Sequence, residues 1–88
     1  MTEKMRLWQS PEETGICALQ KVTAAIPQPS ENEVLVRVEA AALNFSDLLM
    51  IDGVYQIRPD RPFTPGQEIA GVVVAAGSAS GFAQDVRV

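Results

Sequence analysis

The 88-residue sequence has no histidine and a single cysteine, Cys17. Without histidine the chain lacks both the usual acid–base group near neutral pH and the commonest metal ligand. Any proton transfer must therefore use a carboxylate, Tyr55, water or a bound cofactor. One cysteine excludes an intrachain disulfide and suits a reducing compartment, and Cys17 itself reads as a small buried hydrophobe on a strand. Positive charge is also scarce. Seven basic residues face eleven acidic ones, net −4, and Arg58, Arg61 and Arg87 are scattered, which excludes the clustered basic face of nucleic-acid binding. No apolar run approaches the about 20 residues of a membrane span, and MTEKMRLWQS has no signal-peptide core. These absences predict a soluble, cytoplasmic protein with neither a nucleic-acid nor a membrane partner.

What is present fits one small domain or a piece of one, since domains usually hold about 100–150 residues. Met5–Trp8 is a short apolar run, and the polar cluster Ser10–Gly15 turns the chain back toward a second strand, predicted over Ile16–Val22. Pro27 and Pro29 make the stretch from Ala25 to Asn32 an extended connector. From Glu33 to Ala40 the alternation is the cleanest in the chain, with Val34, Val36 and Val38 on one face and Leu35, Arg37 and Glu39 on the other.

At Asn44 the period changes. Phe45, Leu48 and Leu49 fall at helical spacing and read as core, Asn44 is placed to cap the first turn with Asp47 three residues on, and Gly53 marks a left-handed stop. Pro59, Pro62 and Pro65 then keep the chain in an ordered loop as far as Gly66. Ile69–Ala76 is apolar on both faces, the pattern of a strand buried on both sides, and Gly71 within it marks a bulge or a close backbone approach. A flexible turn at Gly77–Gly81 leads to Phe82 and a last strand-like segment, Val86–Val88. Short strands, turn clusters and one brief helix predict a mainly β fold, a small antiparallel barrel or sandwich with a helical insertion.

Two runs, EVLVRVEAAALNFSDLLMIDGVYQ and PFTPGQEIAGVVVAAGSASGF, resemble the N-terminal part of medium-chain dehydrogenases/reductases, in particular the zinc-free NADPH:quinone oxidoreductase branch. Asn-Phe-x-Asp, Gly-Val-Tyr and Pro-Gly-x-Glu-x-Ala-Gly-Val-Val follow one another in that family's order and approximate spacing. The resemblance implies that residues 1–88 are the N-terminal portion of a GroES-like, alcohol dehydrogenase-like catalytic domain: a partial antiparallel β-barrel, truncated before the Rossmann domain that holds the nucleotide. It implies an oxidoreductase that passes hydride from NADPH to a quinone or conjugated enone. In zinc-dependent relatives the positions matching Asn44 and Gln67 are the metal ligands cysteine and histidine. Neither residue type here ligates zinc and Glu68 alone cannot hold it, so no metal is expected.

By the same resemblance Asn44, Asp47 and Tyr55 stand beside the nicotinamide and substrate, while Gln67 and Glu68 fill the vacated metal corner. Asn44 and Tyr55 are the catalytic candidates, as donors to a carbonyl oxygen that gains negative charge. Each residue also has a structural role open to it: Asn44 as helix cap, Asp47 as a first-turn carboxylate in the helix dipole, Tyr55 as a loop-closing ring, and Gln67 and Glu68 as hydrogen-bonded groups at a buried strand entrance. Two departures matter. Where the family reads Gly-Asp-Arg-Val, this chain has Asp85-Val86-Arg87-Val88, so an Asp must bear any positive backbone angle glycine would have taken. No Gly-x-Gly-x-x-Gly exists to receive a pyrophosphate. The chain alone is therefore expected to be inactive. The alternative is a non-catalytic GroES-like module that self-associates, or binds a partner chain, through unpaired strands.

Overall fold

A computed structural model describes residues 3–88. They form two compact units interleaved in sequence, Met1–Ile26 with Leu43–Gln67, and Pro27–Ala42 with Glu68–Val88. Each holds one two-stranded antiparallel pair, so the β structure is open rather than a closed barrel.

In the first unit, β1 (Lys4–Gln9) pairs with β2 (Gln20–Ala25). Their shared apolar side is Met5 opposite Ala24 and Leu7 opposite Val22, all half-buried. The second strand begins four residues later than the sequence pattern predicts. Ile16–Ala18 is instead a short 3-10 turn, entered through Gly15 at φ 101 and closed by Ala18 and Leu19 N–H groups donating to the Gly15 and Ile16 carbonyls. Positive φ at Gly15 reverses the chain before a strand can start, so Cys17 is exposed on this turn rather than buried in a sheet.

Helix α1 (Phe45–Asp52) forms as predicted, with Asn44 as N-cap and Gly53 at φ 75 as its left-handed stop. Its packed face is not the predicted one. Asp47 and Ile51, four residues apart and hence on one side, are buried at 0% and 3% exposure, whereas Phe45 is 72% and Leu48 40% exposed. The Gly15 N–H donates to the Ile51 carbonyl, which brings the 3-10 turn onto the buried end of the helix and leaves Phe45 and Leu48 on the other side. The loop after the helix returns to β1, where Ser10 and Phe63 exchange two backbone hydrogen bonds of 2.8 and 3.1 Å.

In the second unit, β3 (Val34–Ala42) runs antiparallel to β4 (Glu68–Ala76). Register shifts between Leu35 and Val36 and between Val38 and Ala40 break the expected two-residue alternation, and Val38 is 53% exposed. Val73 of β4 is fully buried, but Glu68, Ile69 and Ala70 are exposed, so only the central part of β4 is enclosed. A Cβ on Gly71 would collide with the Arg37 carbonyl, the close approach its position in the sequence implies. On the far side of β4, Val72 bridges Arg87, and Gly71 and Val88 exchange backbone hydrogen bonds of 3.0 and 2.9 Å. The turn into this last segment puts Asp85 at φ 71, the strain foreseen for an Asp standing in for glycine.

Candidate functional site

Asn44 and Asp47 are joined by the chemistry of a helix start. The first turn leaves N–H groups without intrahelical partners. Asn44 and Asp47 are arranged as a capping box, whose carboxylate half is closed by the Asn44 N–H donating to Asp47 Oδ2 at 2.8 Å. Asp47 is completely buried, and its second oxygen, Oδ1, has no hydrogen-bond partner. Asn44 is exposed. A capping box engages only the carboxamide oxygen of such a residue, so the two Nδ2 donors of Asn44 remain for a ligand.

Gln67 reaches the same helix one turn further on: its Nε2 donates to Met50 Sδ at 2.7 Å. It does so from an exposed position, and Glu68 is exposed as well, so these two are not buried polar groups at a strand entrance. Gln67 ends the first unit and Glu68 begins the second. Tyr55 is half-buried in the loop two residues beyond the helix stop, and its carbonyl accepts from Arg58 Nε at 3.3 Å. Four of the five candidates, Asn44, Asp47, Tyr55 and Gln67, thus lie on or beside one short helix.

Arg61 is the residue that sequence reasoning passed over. One guanidinium nitrogen donates to Met50 and Ile51 carbonyls at 3.0 and 2.8 Å, the other to Ser10 Oγ at 2.6 Å and the Pro11 carbonyl at 3.0 Å. The cation also lies 5.2 Å from the centre of the Phe63 ring, a cation–π distance. Arg61 therefore satisfies carbonyls at the end of α1 and ties the Pro-rich loop to the end of β1. A basic residue soon after a helix-stopping glycine is the signal that could have found it.

The site does not fit the whole of a dinucleotide. α1, the α-helix among the described residues, is entered through Ala42-Leu43-Asn44 rather than a glycine-rich turn, and its first turn already carries the Asp47 carboxylate. A pyrophosphate would meet a negative charge there rather than a cradle of free N–H groups. Nor do three residues among His, Cys, Asp and Glu come together as a metal-binding group among the described residues. No helix among them is long and apolar enough to cross a membrane.

Open antiparallel strand pairs, and one capped helix leading through a proline-rich loop into β4, make a mainly β arrangement consistent with part of a GroES-like fold. Residues 30–88 match the alcohol dehydrogenase GroES-like domain, and the chain belongs to that family. It is 49% identical over 59 residues to the synaptic vesicle membrane protein VAT-1 homolog of Rattus norvegicus, covering 67% of this chain and 15% of that protein. It is 40% identical over 65 residues to the quinone oxidoreductase of Sus scrofa, 73% of this chain and 20% of the relative. The quinone oxidoreductase of Thermus thermophilus, whose crystal structures include a complex with NADPH, superposes with a TM-score of 0.71 at 38% identity, over 96% of this chain and 30% of its own. The chain thus spans less than a third of each of these proteins.

Proposed function

We propose that residues 1–88 are the N-terminal portion of the catalytic domain of a cytoplasmic, NADPH-dependent quinone or conjugated-enone reductase that works without zinc. They form its substrate-side wall and are inactive alone. Family membership and the quinone oxidoreductase relatives support the reaction class. The observation that carries the site is the exposed Asn44 with its Nδ2 donors uncommitted, at the end of the helix where positive potential gathers.

A nicotinamide supplies hydride to carbon; the residues of this chain act on the oxygen. As charge builds on the substrate carbonyl, Asn44 Nδ2 and the Tyr55 hydroxyl donate hydrogen bonds to it, and Tyr55 or water delivers the proton. Asp47 holds Asn44 in place through the backbone. Gln67, with Glu68, stands where zinc-dependent relatives have their metal, and a carboxamide is not a zinc ligand.

The test mixes the chain with NADPH and a simple benzoquinone and follows nicotinamide absorbance. No turnover is expected from the chain alone, and turnover is expected once a complementary Rossmann fragment is added. Turnover by the isolated chain overturns the inactive-alone reading. In the reconstituted enzyme Asn44→Ala lowers kcat by roughly 100-fold, the scale of a lost oxyanion donor; an unchanged rate removes Asn44 from the chemistry. Stoichiometric zinc in washed, active protein would overturn the metal-free reading.

A further inference from the structure

Tyr55 sits in a stretch that backbone bonds do not hold. The Val54 N–H donates to the Leu49 carbonyl at 3.0 Å, and the next backbone–backbone hydrogen bond along the chain among the described residues is made by Phe63. Side chains span the gap. Arg58 reaches the Tyr55 carbonyl at 3.3 Å from an exposed position, and Arg61 closes the stretch. Its Nη2 donates to the Met50 and Ile51 carbonyls, the two that follow Leu49. Both ends of the Tyr55 segment, Val54 and Arg61, are thus fixed to successive carbonyls at the end of α1, where a cation also meets the negative end of the helix. Nη2 stands 3.8 Å from where a Cβ on Gly53 would be, which sets the guanidinium against the start of the segment as well as its finish.

The guanidinium is itself held. Nη1 donates to Ser10 Oγ and the Pro11 carbonyl, Ser10 is fully buried, and Phe63, whose ring the cation faces, is tied to Ser10 by two backbone bonds. All of these groups belong to one unit. A planar fork with both Nη atoms committed to acceptors on two sides can take one orientation, so the chain at Arg61 has one position relative to the helix. Pro59, whose ring fixes φ, carries that restraint back toward Tyr55. We propose that Arg61 is a positioning residue for the reduction: it holds the Tyr55 hydroxyl at the substrate carbonyl oxygen without touching substrate itself. It rests on the reductase reading, in which Tyr55 donates to that oxygen. A donor to a developing oxyanion acts most strongly when its place is set before the charge forms, and a phenol on a loop held at one end only would not be so placed.

The experiment is a double-mutant cycle in the reconstituted enzyme. Tyr55→Phe is expected to lower kcat by about tenfold or more. Arg61→Lys, which keeps the charge but not the fork, is expected to lower kcat by about tenfold, the scale of a small misplacement, and to leave KM for NADPH unchanged. In the Tyr55→Phe background Arg61→Lys should cost nothing further, because no hydroxyl is left to place. Equal losses in both backgrounds, or an unchanged rate in Arg61→Lys, overturn the proposal and leave the reductase reading standing. Tyr55→Phe without effect overturns the donor role of Tyr55 and the proposal with it. Tyr55 is the chain's one tyrosine, so meta-fluorotyrosine gives a single fluorine resonance and a reading independent of turnover. Ser10→Ala, which takes one acceptor from the guanidinium and leaves Arg61 in the loop, is expected to move that resonance toward its position in the urea-unfolded chain. Arg61→Lys should move it further, with the Leu7 and Val22 amides still protected from exchange. A resonance that stays in place in both variants overturns the proposal.

Discussion

Asp85 is the one residue other than glycine with a positive φ among the described residues. A left-handed conformation costs an L-residue with a side chain about 1–2 kcal/mol, somewhat less for Asp. Its N–H still donates to the Val73 carbonyl at 2.8 Å, a bond glycine would keep. Asp85→Gly is therefore expected to stabilise the fold by about 0.5–1 kcal/mol after glycine's larger unfolded-state entropy is subtracted, read as a higher urea midpoint. Glu33 shows the opposite case, a side chain well matched to its place. Hydrogen bonds from the Ser30 backbone N–H and then its hydroxyl hold the Glu33 carboxyl below its ordinary 4.5, with Ser30 N to Oε1 at 3.0 Å. A carboxyl whose folded value is depressed contributes stability above its unfolded value and loses it as pH falls through the folded one. An NMR titration should give a Glu33 midpoint below 4.5, and Glu33→Gln should abolish that part of the acid dependence.

For elements, the sequence was most legible where local chemistry decides. Asn44, Asp47 and Gly53 announce both ends of α1, the prolines announce the loop, and Gly71 announces a close approach that the structure shows. The failures are of another kind. Which face of α1 is buried depends on where the Gly15 turn docks, and nothing in the spacing of Phe45, Leu48 and Leu49 records that. Strand β2 starts late because a glycine at positive φ outweighs an imperfect alternation. In the candidate site, residue types were readable, but the link from Gln67 to Met50 and the Arg61 clamp join positions 17 and up to 51 residues apart, beyond any local pattern. The clamp gives a prediction at this scale. Arg61→Leu leaves two helix-end carbonyls and buried Ser10 without their donor and should cost about 2–3 kcal/mol. Arg61→Lys should recover only part of that, since an ammonium cannot fork across both sets of acceptors; thermal melts of the two variants check the order.

At the scale of the whole molecule, the two units are interleaved in the chain: the first is complete at Gln67, and the second needs one segment before Gln67 and one after it. A chain ending at Gln67 is expected to keep slow amide exchange at Leu7 and Val22 in the β1–β2 pair, while the β3 amides exchange freely for want of β4. Equal protection of both sets would contradict the division. The interleaving also has a consequence in time. Synthesis runs from the N-terminus, so β3 leaves the ribosome before its only neighbour among the described strands exists. The intervening stretch of about 25 residues takes roughly 1–5 s to make at ordinary elongation rates. For that interval both edges of β3 are bare, and the newborn chain is then most exposed to mispairing with its neighbours on the same message.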